Sequence, residues 1–356
     1  MSAGRAGVIG LSSALVAQSE GHQVTIVARD FPGPFETIDP KTQINYTSPW
    51  AGAHNRVVPP TNAAEEREHA LNIATFARMR ALHARYKVTH EHEHGLTFMK
   101  GIEHLEAPGP QYLALTEERA AQMGLEGFRL LGPEELPDDK VKWGCEYDTW
   151  CVNPMVYCCF LLRRFVFGGG RVVKREVRDP AEIFAIKELD PVDAVVNASG
   201  IGFGDENVFI TRGQTCLVAD KTCAATITRQ NADGSWSFCI PRNFDGGTVI
   251  GGTKEPNDWN PDPSPETRAR LLQTFAAAFP HVLGNVDELR VIRDIVGRRP
   301  TRKGGMRLEK EKIAGGKVVI HAYGLGGRGY ELSWGVAESV AKLLAEHLGP
   351  SRSSRL

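Results

Sequence analysis

The stretch from Val318 to Leu344, VVIHAYGLGGRGYELSWGVAESVAKLL, constrains the fold more than any other. The run ending in His321 reads as a short buried strand, the glycines break it, and Tyr330 to Leu344 has helical spacing. Strand, glycine loop and helix in that order make a mononucleotide-binding corner. Gly324, Gly326, Gly327 and Gly329 permit positive φ and close backbone approach. The helix is expected to begin near Tyr330 and to aim its N-terminal N–H groups and positive dipole end into the loop. Glycine-rich turns of this kind also serve packing alone, so the rest of the chain must decide.

A second corner opens the chain. Residues Arg5 to Asp30 read as a glycine turn, a helix with Leu11, Leu15 and Val16 on its apolar side, a stop at Gly21, and a strand from Val24 to Ala28. This is the first half of a Rossmann unit, with phosphates expected over the helix that follows Gly10. Met1 to Gly4 supplies no apolar run for the strand that should precede the glycines. In a doubly wound sheet that strand is central, so the expectation is an N-terminally shortened chain whose cofactor affinity is in doubt.

The 356 residues, 42% of them hydrophobic, suffice for two domains, and a net charge of -1 gives no electrostatic case for nucleic acid or membrane partners. Seven cysteines at irregular spacing, with no paired CxxC, suggest neither a disulfide framework nor a zinc site. Cys158 and Cys159 lie in an apolar helical run and read as small core residues. No stretch of about 18 apolar residues marks a membrane span.

Thr47 to Asn55, TSPWAGAHN, is a loop by its Pro49 and Gly52. Asn62 to Tyr86 is a long helix, capped by Asn62, with Leu71, Thr75, Met79, Leu82 and Tyr86 in one stripe. His90, His92 and His94 alternate with glutamates, but the run lacks HExxH spacing, and an exposed, partly protonated lead-in to a strand is expected rather than a metal site. Short apolar runs from Leu96 to Trp150 suit a substrate-side sheet. A helix from Pro154 to about Phe167 precedes a strand at Arg171 to Val177, and DAVVNASGIG, from Asp193 to Gly202, is another strand ending at a nucleotide loop.

These motifs carry a resemblance. His321-Ala322-Tyr323-Gly324, with Gly326, Gly327, Gly329, Ser333, Trp334, Gly335 and Ala337, resembles the signature of the D-amino-acid oxidase family, FAD flavoproteins that include D-aspartate oxidases. Further segments resembling the family follow in order, among them Arg212-Gly213-Gln214-Thr215, read as a turn before a strand from Cys216 to Ala219. Others are Ser237 to Arg242, Val249 to Lys254, and Val296 to Arg302.

The resemblance implies an α/β fold: a Rossmann-like FAD-binding domain, its first strand missing or incomplete, with a second, mixed-sheet substrate domain. The first comprises 1–60, 150–205 and 290–347, the second 61–149 and 206–289, and 348–356 is a flexible tail. Implied cofactor contacts are Gly7, Val8, Ile9 and Gly10, with Arg5 where the family's first glycine stands, then Arg29 and Asp30 at the ribose. Thr47, Ser48, Ala51, Gly52 and Ala53 would lie along the flavin, with Val177, Ser199 and Gly200 on the adenine side. Gly326, Gly327, Arg328, Gly329, Tyr330 and Glu331 close the set with Arg299. No metal is implied.

Buried arginine is expensive unless paired, and Arg299 matches the family arginine that grips the substrate α-carboxylate with a bidentate fork. Arg298 and Arg302 are expected to be solvated or structural. The Gly327 carbonyl would accept from the substrate amine. Phe238 stands where a tyrosine commonly binds the carboxylate, and Lys254 stands at a pocket position where its ammonium could hold a second carboxylate. The implied activity is hydride transfer from Cα of a D-amino acid to flavin N5, yielding a 2-oxo acid, ammonia and, from oxygen, hydrogen peroxide. An acidic D-amino-acid oxidase using Lys254, and a non-catalytic form lacking stable FAD binding, are the alternatives. Ser354-Arg355-Leu356 resembles a peroxisomal address read by an import receptor, so a peroxisomal location is expected, with a homodimer as the assembly to test.

Overall fold

The computed structural model describes residues 4–34, 37–39, 41–87, 94–189, 191–219, 223–280, 282 and 286–349. His90, His92 and the C-terminal tripeptide lie outside the described residues. The chain opens with α1 (Val8–Ser19) and β1 (Thr25–Ala28), then runs through the loop Thr47–Asn55 into α2 (Ala63–Lys87). Asn62 caps α2 as expected, its Oδ1 accepting from the N–H groups of Ala64 at 3.0 Å and Glu65 at 3.1 Å. Next come β2 (Leu96–Leu105), the short helices α3 (Pro110–Leu113) and α4 (Glu117–Gln122), β3 (Arg129–Leu130) and β4 (Trp143–Val152). Asn153 then caps α5 (Pro154–Phe167), which three glycines end before β5 (Arg171–Lys174) and β6 (Ala194–Asn197). The expected strand to Val177 stops at Lys174.

A long meander follows: β7 (Val208–Val218), β8 (Thr226–Gln230), β9 (Trp236–Pro241), β10 (Thr248–Gly251), β11 (Glu255–Pro256) and α6 (Pro265–Ala278). The chain finishes with β12 (Val291–Arg302), β13 (Arg307–Lys312), β14 (Val318–Tyr323) and α7 (Ser333–Leu348). The meander builds one large mixed sheet in the order β11-β7-β10-β9-β8-β2-β4-β3, with β12 also on β7. β12 pairs with β7 along its whole length, so this part of the segment 290–347 is hydrogen-bonded into the substrate-side sheet.

The nucleotide side is two smaller sheets. β1 pairs in parallel with β5, and β6 pairs in parallel with β14, which carries antiparallel β13. Ahead of α1, among the described residues, Arg5 makes a parallel bridge to Asp30. Between β1 and β6, against α1, lies an open cleft of about 1120 Å³. Helices α1, α2, α5 and α7 and strand β14 share the largest apolar core beneath it.

Three local expectations are corrected. Arg212-Gly213-Gln214 is not a turn but the interior of β7, with Gly213 directly opposite Gly297 of β12. The last helix begins at Ser333 rather than near Tyr330, after a 3-10 turn at Gly326–Arg328. Its first turn faces α2: a Cβ on Gly335 would lie 2.3 Å from the Leu71 carbonyl oxygen, and the Gly335 N–H donates to Thr75 Oγ1. His94, expected exposed, is buried, and its Nδ1 accepts from the Leu96 N–H at 3.0 Å.

Candidate functional site

Helix α1 has no side-chain cap of its own at Gly7. Its first free N–H, on Val8, instead donates to Ser48 Oγ at 3.0 Å, so the loop after β1 reaches across to the helix N-terminus. A Cβ on Gly7 would lie 2.9 Å from Ser48 Oγ and would turn the serine hydroxyl away from the Val8 N–H. Ile9 is buried behind, while Gly10, Ser199 and Val177 line the cleft. Gly200, in the left-handed region at φ 80°, accepts the Gly324 N–H through its carbonyl and so ties the loop after β6 to the loop after β14.

Asp30 lies at the end of β1 and carries two cations. Arg29 donates to its Oδ2 from Nε at 3.0 Å and Nη2 at 2.8 Å, and Arg5 Nε stands 3.2 Å from the same oxygen. Burial first, and then Arg29, pull the Arg5 guanidinium below its ordinary value, with Asp30 opposing. Among the described residues nothing bonds Oδ1 of Asp30, which leaves one acceptor for a ligand hydroxyl.

The loop from Thr47 to His54 is the hub. Thr47 Oγ1 donates to the Arg298 carbonyl at 2.8 Å, Trp50 packs on Gly297, and Ala53 exchanges backbone hydrogen bonds with Val152 of β4. Gly52 meets β9: its Cβ would lie 2.5 Å from Ile240 Cδ1. Buried Tyr330 donates its hydroxyl to the Ser48 carbonyl at 2.9 Å, which joins this loop to the glycine loop before α7. In that second loop Arg328 bonds Glu331 at 2.8 Å and Glu68 of α2 at 2.5 Å, so Arg328 and Glu331 lock the loop onto the helix. Gly329 packs against Val8, with a Cβ position 3.9 Å from Cγ1.

Arg299 and Gly327 are neighbours. A Cβ on Gly327, the exposed residue of its loop, would lie 3.7 Å from Arg299 Cδ, and Gly326 stands likewise against Thr301. The Arg299 guanidinium donates to the Thr253 carbonyl at 3.3 Å and has no ion pair among the described residues, and burial pulls it below its ordinary value with Glu255 opposing. Lys254, next after Thr253, is exposed and has no hydrogen-bond or ion-pair partner among the described residues. Phe238 packs over the backbone of Gly251 and Gly252, with its ring 6.4 Å from that of His54. Burial, then Arg56, lower the His54 imidazole to about 3, so it is neutral. Arg298 and Arg302 are structural: Arg298 donates to Asn45 at 3.2 Å and stacks on Trp259, and Arg302 donates to Asp205 at 2.7 Å.

Sequence reasoning missed two residues here. Gly213 makes room for the Arg299 guanidinium; its signal is a glycine directly opposite another glycine across two strands. Arg242, only 2% exposed, donates to the carbonyls of Ala51 at 2.8 Å and Gly52 at 3.2 Å. Its signal is the alternation Phe238, Ile240, Arg242 along and just past β9.

A family model described as FAD dependent oxidoreductase matches residues 6–343. A D-aspartate oxidase from Talaromyces thermophilus is 45% identical over 354 residues, covering 95% of this chain and 93% of the relative. A D-amino-acid oxidase from Fusarium vanettenii is 29% identical over 371 residues, covering 99% and 98%. Among solved structures, glycine oxidase from Bacillus cereus shares the fold with a TM-score of 0.70 at 17% identity, covering 97% of this chain and 95% of that one. With a glycine corner against α1 and Arg299 beside Gly327 in place, the family match over nearly the whole length leads to one conclusion: the chain belongs to the D-amino-acid oxidase family of FAD-dependent oxidoreductases.

Proposed function

We propose that the protein catalyses the FAD-dependent oxidative deamination of D-amino acids to 2-oxo acids, with release of ammonia and hydrogen peroxide. The observation that carries this reading is Arg299, a half-buried guanidinium without an ion pair among the described residues, set against the exposed residue Gly327. A zwitterionic amino acid supplies what both lack: a carboxylate for the fork and an ammonium or amine for the carbonyl.

The residues present fit FAD. The bare backbone of Gly10 and the open cleft of about 1120 Å³ that it lines leave room for a dinucleotide, and Asp30 keeps one oxygen for a ribose hydroxyl. The first turn of α1 with Ser48 would hold the phosphates, Val177 and Ser199 the adenine end, and Thr47 to Ala53 with Gly326 to Tyr330 the ring. When bound, FAD takes the two electrons of the substrate Cα–H bond and passes them to oxygen. The chain's part is positioning. Arg299 would fix the carboxylate and Gly327 the amine, and with two substituents held, only one enantiomer directs its Cα–H toward the ring. Phe238 offers an apolar wall where a hydroxyl would otherwise bind the carboxylate. His54 is too weakly basic to take a proton near neutrality, and none is needed when the neutral amine donates its lone pair.

Lys254 favours a second reading, in which the side chain is acidic. An exposed ammonium without a partner, one residue from the acceptor of Arg299, suits a second carboxylate, and the Talaromyces relative is named a D-aspartate oxidase. The test is purified protein supplied with FAD, assayed for peroxide against D-alanine, D-aspartate and their L-enantiomers. A yellow protein that turns over none of the D-amino acids would sink the proposal. A peroxisomal location and a homodimer complete the reading; a fluorescent fusion with and without Ser354–Leu356, and sedimentation of the pure protein, test them.

A further inference from the structure

Arg242 is more deeply buried than Arg299 and, like it, has no carboxylate beside its charge among the described residues. It is among the largest fully buried side chains, no carboxylate pairs with it among the described residues, and burial lowers it to about 10, with Tyr330 opposing. A guanidinium in such a place is costly unless an anion faces it. Its guanidinium donates to the Ala51 and Gly52 carbonyls and acts electrostatically on Tyr330, and these residues belong to the two loops assigned to the ring. Ile240, two residues earlier, touches Gly52 from the same side.

The peptide joining Ala51 to Gly52 is trans, so its N–H points away from its C=O. With Arg242 gripping the Ala51 oxygen, the Gly52 N–H is turned to the opposite side of the loop, and it makes no hydrogen bond with any described residue. We propose that Arg242 is a positioning residue of the cofactor site: it holds the 51–53 loop with the Gly52 N–H presented to the flavin ring, and its unneutralised charge favours negative charge on that ring. The charge reaches the ring both directly and through the polarised peptide, because a cation on the carbonyl makes the N–H at the other end a stronger donor. This rests on FAD being the cofactor, which the flavin absorbance of the loaded protein establishes separately.

The test uses the FAD-loaded enzyme and two variants, Arg242→Met and Arg242→Lys. Sulfite adds to an oxidised flavin and leaves the ring negatively charged, so its dissociation constant reads the charge directly and does not depend on turnover. Arg242→Met is expected to weaken sulfite at least about tenfold, the scale of one unscreened charge at short range. Arg242→Lys, which keeps the charge, is expected to stay within about threefold of the parent. In the parent, reduction is expected to take up one proton per two electrons between pH 6 and 9, because the nearby cation keeps the reduced ring anionic.

A purely structural arginine would lower thermal stability in both variants and leave sulfite affinity alone. That result overturns the proposal. So does weakened FAD affinity in Arg242→Met with unchanged sulfite affinity, which would assign the charge to the phosphates. Where Arg242→Met fails to take up FAD, the parent's proton count decides, and two protons per two electrons overturns the proposal by itself.

Discussion

The guanidinium of Arg299 occupies the space that a side chain on Gly213 would fill, since a Cβ there would sit 2.2 Å from Arg299 Nη2. Gly213→Ala must therefore displace the fork while leaving its charge in place. Charge-assisted hydrogen bonds are worth about 1.5–3 kcal/mol each, so losing one raises KM for a D-amino acid about tenfold to a hundredfold. Steady-state kinetics with D-alanine check this. A KM within twofold of the parent would show that the fork does not depend on that gap.

Lys254→Met separates the two substrate readings. If the ammonium binds a side-chain carboxylate, kcat/KM for D-aspartate falls by about tenfold or more while that for D-alanine stays within a factor of two. An equal change for both substrates would remove Lys254 from side-chain recognition.

Two buried imidazoles set an acid limit on stability. Burial, then Arg229, push His104 down to about 4, and burial, then Arg56, push His54 down to about 3. In the unfolded chain both titrate near 6.5, so above that pH neither costs anything. As pH falls below about 6.5 the unfolded state takes up protons that the folded state refuses, and stability declines until the folded values are passed. Tm should be flat from pH 8 to 7 and fall between pH 6 and 4. His104→Phe should reduce that fall.

The same substitution should stabilise the protein at neutral pH. Both ring nitrogens of His104 are buried without a hydrogen-bond partner, while the ring stacks on Phe279 with centroids 5.5 Å apart. Phenylalanine keeps the stack and removes two unsatisfied polar atoms, for a gain of about 1 kcal/mol. Denaturant unfolding of the FAD-loaded protein at pH 7.5 measures it, and a loss of stability would mean that the pocket does not accept the ring.

Much of the site was legible because glycine and arginine carry strong local meaning. The corner after β14 could be read from residue types and their order, whereas the roles of the loop at Thr47 to Ala53 and of Arg299 with Gly327 were implied by the family resemblance alone. Gly213 misled because a glycine between two polar residues reads as a turn, whereas here it is strand interior facing another glycine. The start of α7 was placed too early because Tyr330 and Leu332 continue the apolar spacing, yet a 3-10 turn lies upstream and α2 meets the helix at Gly335. Arg242 was missed for a different reason: an arginine after a proline looks like a surface residue, and the alternation with Phe238 and Ile240 that puts it on their face is too short to outweigh that.

The β1–β5 sheet and the β6–β14–β13 sheet flank the open cleft, and among the described residues no hydrogen-bond ladder joins them. A dinucleotide lying between them would act as mortar, touching Val27 of β1 on one wall and Ser199 on the other. Folding and loading would then be one linked equilibrium, in which each tenfold excess of free cofactor over its dissociation constant adds about 1.4 kcal/mol. Cells short of riboflavin would accordingly hold less of this polypeptide, not merely a paler version of it.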